Sequence, residues 1–305
     1  MDVYCFGHVS TGRILRLKDR FPAPDGYGEI AEDLENHSGE ATGSALVLQR
    51  LGASVRLEGN WIGDNEPCRR TLAFLEERGI DVSGLHVEPG YAGVRELVVA
   101  DGHSRTVFGR YGDLLFTTAQ WDMPNSERMR GARMAVVDPA FGEATLSVAR
   151  SASDLGMPLA CCDTAPDGEL AGRSAILAVS NEFLAREFPG AVEQGSAREA
   201  LFQRYLAGCP GLVVFTSGSG SIRYGRRAGE SGEMPSFRVD VVDSAGAGDS
   251  FRGALVWAAL RGMSDREAVR FAAAVAALVC TTAPGCLRSP TLAHVEEFLA
   301  SRKEG

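Results

Sequence analysis

The sequence predicts an α/β fold, a mostly parallel sheet flanked by helices, with a small antiparallel β sheet set into it. Three observations point there. Short apolar runs alternate with amphipathic stretches along the chain, the pattern of strands and helices in alternation. The apolar runs are continuous, as suits strands buried on both faces. Two stretches, Ile14–Asn36 and Gly93–Arg110, break the rhythm.

Core strands are predicted at Val3–Gly7, Ser54–Glu58, Met134–Asp138, Pro158–Asp163, Ala175–Ser180 and Leu212–Thr216, and helices at Gly43–Leu51, Glu66–Arg78 and Ala140–Leu155. Within the irregular stretches, Gly93–Ala100 and His103–Arg110 are joined by Asp101-Gly102, a pair suited to a type I′ hairpin turn. Ile14–Asn36 is polar, with Pro22 and Pro24 near its centre. Together, as residues 10–37 and 89–112, they are expected to form a small sheet inserted into a single domain spanning residues 1–305. Such a sheet can cover a cleft; two decorative surface hairpins fit the same pattern.

Composition excludes several classes. The 305 residues include 40 acidic and 31 basic ones, a net charge of −9, so no long-range positive field draws the chain to nucleic acid or an anionic membrane surface. No run reaches the roughly 20 apolar residues that span a bilayer. The opening MDVYCFGHVS has no basic leader before an apolar run, so no secretory signal is expected. Seven scattered cysteines with no CxxC pair indicate a reduced, cytoplasmic setting. The adjacent Cys161 and Cys162 are read as strand packing, and the histidines do not cluster as a metal site.

The segment that carries chemistry is Val241–Leu260, VVDSAGAGDSFRGALVWAAL. A strand-like run, Phe237–Val242, precedes it. Phe251, Ala254, Leu255, Ala258 and Ala259 then follow amphipathic helical spacing, with Gly262 as a C-cap. Ala245–Gly248 therefore forms a tight turn into a helix that starts near Asp249. The first helical turn leaves about four amides unpartnered at the positive end of the helix dipole, and small residues let an anion approach them. A carboxylate beside those amides can take a proton from a hydroxyl while they hold charge developing on a transferred phosphoryl group. The plain alternative is that Asp249 only caps its helix. Other glycine motifs fail: there is no GxxxxGK[ST], and neither Gly246-Ala247-Gly248 nor Gly218-Ser219-Gly220 completes GxGxxG after the first strand. A further helix, Asp265–Thr281, has a capping box at Ser264 and Glu267 and an apolar face of Phe271, Ala272, Val275 and Val279.

Asp243–Asp249 followed by Ser250-Phe251-Arg252-Gly253-Ala254 resembles the C-terminal signature DTxGAGDxFxGA of the PfkB/ribokinase family of carbohydrate kinases. Weaker matches occur in the family's order: Ser38-Gly39-Glu40-Ala41 with Leu51-Gly52-Ala53, Gly63-Asp64, Arg78–Asp81, Asn181-Glu182 and Thr216–Gly220. The resemblance implies a ribokinase-like (Rossmann-like) body with a β lid, and an ATP-dependent kinase acting on a sugar or sugar-acid hydroxyl. It implies Asp249 as general base and the Gly246, Ala247 and Gly248 amides as anion hole. Asn181, Thr216, Gly218, Gly220, Ala273, Pro284 and Gly285 would lie near ATP and Mg2+. Asp243 and Ser289 would hold a monovalent cation, K+. Ser10, Gly39, Glu40, Arg105 and Arg110 would face the acceptor with Asp249, alongside Arg95 and Asp138, and a homodimer through the lid is expected.

Three positions depart from the family pattern. Gly12 stands where a sugar-binding aspartate is usual, Gly43 where an asparagine is, and Leu184 where the NxxE motif has its acid. Asp25 or Glu40 is expected to supply a missing polar group. An intact catalytic end with an altered acceptor end implies a non-standard acceptor. Arginine at Arg105 or Arg110 could clamp a carboxylate, as 2-keto-3-deoxygluconate kinases of this family require. Two other readings stay open: a nucleoside kinase with an apolar pocket near Trp61, Val107 and Phe108, and a catalytically silent sugar or nucleotide sensor.

Overall fold

The computed structural model describes residues 1–101, 104–112, 118–193 and 195–302. The chain runs through β1 (Val3–Gly7), β2 (Ser10–Leu17), β3 (Ile30–Ser38), α1 (Glu40–Arg50) and β4 (Val55–Gly59). Next come β5 (Ile62–Gly63), α2 (Glu66–Glu77), β6 (Val87–Glu88), β7 (Arg95–Ala100) and β8 (Arg105–Gly109). The middle of the chain forms β9 (Met134–Val137), α3 (Glu143–Asp154), β10 (Leu159–Cys162), α4 (Glu169–Arg173), β11 (Ser174–Val179), α5 (Asn181–Glu187), α6 (Pro189–Glu193) and α7 (Gly195–Gly208). It closes with β12 (Leu212–Phe215), β13 (Ser221–Gly225), β14 (Ser231–Pro235), α8 (Ala247–Leu260), α9 (Asp265–Cys280) and α10 (Leu292–Ser301).

Eight strands build the main sheet in the order β14-β13-β12-β11-β10-β9-β1-β4. Pairing is parallel from β12 to β4, and β13 and β14 add an antiparallel edge. Period-two alternation sorts side chains to two faces. Val3 and Cys5 of β1 join the layer that holds α8 and α9, while Tyr4 and Phe6 join the layer with Phe141, Val148 and Phe202. Both faces are covered, which is why each core strand reads as an unbroken apolar run.

A second sheet, ordered β3-β2-β7-β8, takes its strands from the two irregular stretches. Two antiparallel pairs, β2–β3 and β7–β8, are joined through a parallel β2–β7 contact. In the β7–β8 connection the amide of Asp101 donates to the Ser104 carbonyl at 3.1 Å, so the turn closes one residue later than an Asp101-Gly102 turn would. Gly102 and His103 lie outside the described residues, as does Asp113. Among the described residues no helix is long and apolar enough to cross a membrane.

One expected strand is absent. Phe237–Val242 forms no strand; the β13–β14 hairpin occupies the sheet edge. The segment runs instead beside the end of α9, where the amides of Val242 and Asp243 donate to the Cys280 carbonyl. Helix α1 begins at Glu40, ahead of the expected Gly43, and α9 carries the capping box at Ser264 and Glu267.

Gly39 sets the entry to α1. Its φ is +121°, and a Cβ there would lie 1.9 Å from the His8 carbonyl oxygen. Gly39→Ala therefore meets both a strained backbone and a backbone collision. We expect a loss of about 2 kcal/mol or more, read as a lower thermal unfolding midpoint; an unchanged midpoint would show that the loop after β1 yields freely.

Candidate active site

The turn before α8 is built from small residues for steric reasons. Gly246 is the left-handed N-cap at φ 74°, and a Cβ on it would stand 2.8 Å from the Cβ and Sγ of Cys286. Gly248 has open space in front of its Cα. The first intrahelical bond is Ser250 N–H to the Gly246 carbonyl, so the amides of Gly246 to Asp249 precede the helical ladder. That of Ala247 turns back toward the Ser244 carbonyl at 3.3 Å, which leaves Gly246 and Gly248 as the freer donors of the expected trio. No side chain caps α8, so Asp249 does not serve as its cap.

Asp249 is held against α1. Its carbonyl accepts the Ser44 hydroxyl at 3.0 Å, and a methyl on Gly43 would come within 2.7 Å of its Cβ. The expected departure at Gly43 thus has a local cause: α1 passes so close to Asp249 that no side chain fits. One turn further along α8, Arg252 is buried. Its guanidinium donates to Asp138 Oδ1 at 2.7 Å, Ser44 Oγ at 3.0 Å, the Val137 carbonyl at 3.2 Å and Cys162 Sγ at 2.8 Å. Asp138 Oδ2 accepts the amides of His8 and Ala41 at 2.7 and 2.8 Å. In the signature Arg252 is a variable position; its burial follows from facing four acceptors contributed by α1, β10 and the C-terminal end of β9.

Acids crowd this guanidinium. Donor atoms of Glu40, Asp138 and Cys162 lie within 4.8 Å of one another. Glu40 is open to the cleft, yet its carboxyl sits against protein, and this desolvation, with the Asp138 charge, raises its pKa to about 7. Desolvation first, then the charges of Glu40, Asp138 and Glu96, hold the Asp249 carboxyl well above the usual carboxylate range, with Arg252 opposing. Glu40, Asp163, Asp249 and Arg252 line a small cavity of about 70 Å³. Asp163 accepts the Ser180 amide and hydroxyl.

A larger cavity of about 710 Å³ adjoins the small one. Thr216, Gly248 and Phe251 line both. Gly218 and Ala273 line the large cavity as expected, with Phe237, Val241 and Cys280 supplying apolar wall. Four other expected residues are placed elsewhere. Asn181 accepts Arg198 through its Oδ1 at 3.0 Å, and Arg198 also reaches Ser217. Gly220 closes the preceding turn, its amide on the Ser217 carbonyl. Pro284 is buried in the loop behind, and Gly285 donates its amide to Asp243.

No acid stands at Gly12, and a carboxylate lies across the strand pair from it. Gly12 of β2 is the register partner of Glu96 of β7, and a Cβ at Gly12 would meet the Glu96 carbonyl at 2.3 Å. Glu96 accepts the Tyr111 hydroxyl at 2.5 Å and the Ser38 hydroxyl, which in turn pairs with Ser10 at 2.7 Å. The His8 ring packs edge-on to Tyr111, and its buried Nε2 has no partner among the described residues. Asp25, one of the two expected substitutes, is exposed in a turn; Glu40 does reach the small cavity. Position 96 gave no signal in the sequence, because only the β2–β7 register brings it opposite Gly12. Arg105 and Arg110 are exposed and make no ion pair among the described residues. Val107 and Phe108 are 46% and 51% exposed, so they do not form an enclosed apolar wall.

For the two implied metals the donor sets differ. Leu184 is fully buried in the core and offers no oxygen; carboxylates suited to Mg2+ come from Glu40 and Asp163. Asp243 and Ser289 are buried oxygen donors on neighbouring loops. Asp243 accepts the amides of Ala245 and Gly285 at 2.9 and 3.0 Å, and Ser289 donates to the Cys286 carbonyl at 2.5 Å. An all-oxygen pair of this kind fits K+.

The chain is 27% identical over 303 residues to the ATP-dependent ribose-1-phosphate kinase of Halopiger xanaduensis, covering 97% of each chain. It is 28% identical to a nucleoside kinase of Methanothermobacter thermautotrophicus, over 91% of this chain and 89% of that one. The crystal structure of a protein from Agrobacterium tumefaciens provisionally described as a ribokinase superposes with a TM-score of 0.84 at 27% identity, covering 97% and 96% of the two chains. The profile of the pfkB family carbohydrate kinases matches residues 2–292. The chain therefore belongs to the PfkB family of carbohydrate kinases, phosphotransferases that act on an alcohol group.

Proposed function

We propose that this sugar or nucleoside kinase uses ATP to phosphorylate a hydroxyl of a sugar or sugar-acid acceptor. Asp249 is the general base, and the turn from Gly246 to Gly248 is the anion hole. The observation that carries the reading is Gly248: it lines both the large cavity, sized for a nucleotide, and the small acidic one that holds Asp249. A hydroxyl in the small cavity would face the terminal phosphate across the helix N-terminus, the in-line arrangement that phosphoryl transfer needs. ATP use rests on the family and on the activity named for the Halopiger relative.

The roles follow from the surroundings. Raised above the ordinary range, the Asp249 carboxyl has a real affinity for the hydroxyl proton. Freed from the ladder, the Gly246 and Gly248 amides meet the charge that develops on the phosphoryl oxygens. Mg2+, held near Glu40 and Asp163, would neutralise phosphate charge. K+ beside Asp243 and Ser289 would steady the turn from behind. On the acceptor side, Glu96, Ser38, Ser10 and His8 Nε2 present hydrogen-bonding groups for hydroxyls, and Arg105 and Arg110, without an ion pair among the described residues, favour an anionic acceptor. The four-stranded sheet acts as a lid that excludes water. Its edge strand β8 is exposed along its length and is where a second copy would pair. Seven free cysteines support a cytoplasmic setting. A nucleoside acceptor is the second reading, favoured by the Methanothermobacter relative.

An acceptor panel of sugars, sugar acids, sugar phosphates and nucleosides, followed by ADP release, tests the class. Turnover with a sugar or anionic sugar is expected; saturable binding with no turnover of any acceptor would mark a sensor instead. Asp249→Asn should lower kcat by at least ~10²-fold with the unfolding midpoint preserved; near-normal turnover would remove the base. Glu96→Gln should raise the acceptor KM about tenfold and leave that of ATP alone. Glu40→Gln removes a negative charge that raises the Asp249 pKa, so the acid limb of kcat/KM should move to lower pH; a limb that stays put or moves up would contradict the coupling.

A further inference from the structure

Arginines in this acidic chain are commonly paired with acids, as at Arg56–Asp81, Arg128–Glu58, Arg226–Asp265 and Arg252–Asp138. Three are not. Arg50, Arg78 and Arg288 line a single cavity of about 320 Å³ and make no ion pair among the described residues. They come from three elements: the last turn of α1, the C-cap of α2, and the turn at 286–288. Among the described residues no acidic one lines the cavity; its remaining polar groups include Gln49 and Ser289.

Each arginine has a local bond at most. Arg50 Nε donates to the Ser289 carbonyl at 3.3 Å. Arg78 donates to the Phe74 carbonyl and stacks 3.4 Å from the Phe74 ring centroid. The Arg288 guanidinium has no hydrogen bond or ion pair among the described residues. Arg50 and Arg78 repel one another, while Glu77 is the acid that acts on Arg78. Arginines at helix C-termini do complement the dipole, and this accounts for Arg50 and Arg78 singly. It does not account for a third arginine facing them across a hollow. Two helix ends contribute roughly −1 in total against three formal positive charges, so the cavity keeps a net attraction for anions.

We propose that this cavity is a second ligand site, separate from the catalytic cleft, that binds a phosphate dianion. Guanidinium forks match phosphate oxygens in pairs, and Gln49 adds a neutral amide. The volume exceeds that of orthophosphate alone and admits a phosphomonoester with a small polar body. The far wall is Cys286, whose side chain packs against Gly246, so an occupant would lie one side chain behind the turn before α8.

The test is equilibrium binding of radiolabelled orthophosphate to the full chain at fixed ionic strength, with a non-hydrolysable ATP analogue filling the catalytic cleft. Saturable binding of one phosphate per chain is expected. Arg78→Gln/Arg288→Gln should weaken it at least ~10-fold, and Arg288→Gln alone at least ~3-fold, with kinase activity in phosphate-free buffer unchanged. Arg288→Gln keeps the test decisive if the double variant fails to fold, since that exposed side chain supports nothing else. Displacement by a sugar phosphate more tightly than by orthophosphate would identify an ester ligand, and equal displacement the inorganic ion. Absence of saturable binding beside the analogue, or unchanged binding in Arg288→Gln and the double variant, would overturn the proposal.

Discussion

The site depends on one buried guanidinium. Arg252 lies inside the protein with Asp138 as its ion-pair partner, both about 1% exposed. Taking such charges out of water costs several kcal/mol each unless geometry and further hydrogen bonds offset it. Here they do: four acceptors from α1, β9 and β10 surround the guanidinium, and the second oxygen of Asp138 takes two amides from the loops around β1 and α1. The pair ties α8 to the C-terminal edge of the sheet, where ligands of open α/β folds bind. Asp249, one turn earlier on the same helix, is linked to the guanidinium through Ser44, whose hydroxyl accepts from Arg252 and donates to the Asp249 carbonyl.

The electrostatics follow from that clustering. Glu40, Asp138 and Asp249 share one interior cation; burial first, and then this excess of negative charge, make the Glu40 and Asp249 carboxyls hold a proton more strongly than in water. The α8 dipole supplies the opposing positive potential at its N-terminus. A carboxyl with raised affinity for protons and a nearby set of free amides thus arise from one arrangement of α8 against the sheet.

How much could be read beforehand follows the range of the interactions. The core strands were legible because burial on both faces writes a continuous apolar run into each. The 246–249 turn was legible because small residues and an acid at a helix start have few other uses. Phe237–Val242 misled, since β-branched residues mark extended backbone but not a pairing partner. Arg252 and Glu96 were hidden. A buried arginine looks like a surface one in sequence, and Glu96 gains its place only through a β2–β7 register spanning 84 positions. Gly12 and Gly43, which read as lost polar groups, turn out to mark close approaches, one between strands and one between α1 and Asp249.

The central claim is that the Arg252–Asp138 pair holds Asp249 in a working position. Its most direct test is the rate of ADP formation by Arg252→Met, with thermal unfolding run alongside. Methionine keeps much of the volume and removes the charge. The account predicts a chain that still unfolds cooperatively but turns over at least ~10²-fold more slowly. A folded variant within threefold of the parent rate would contradict it.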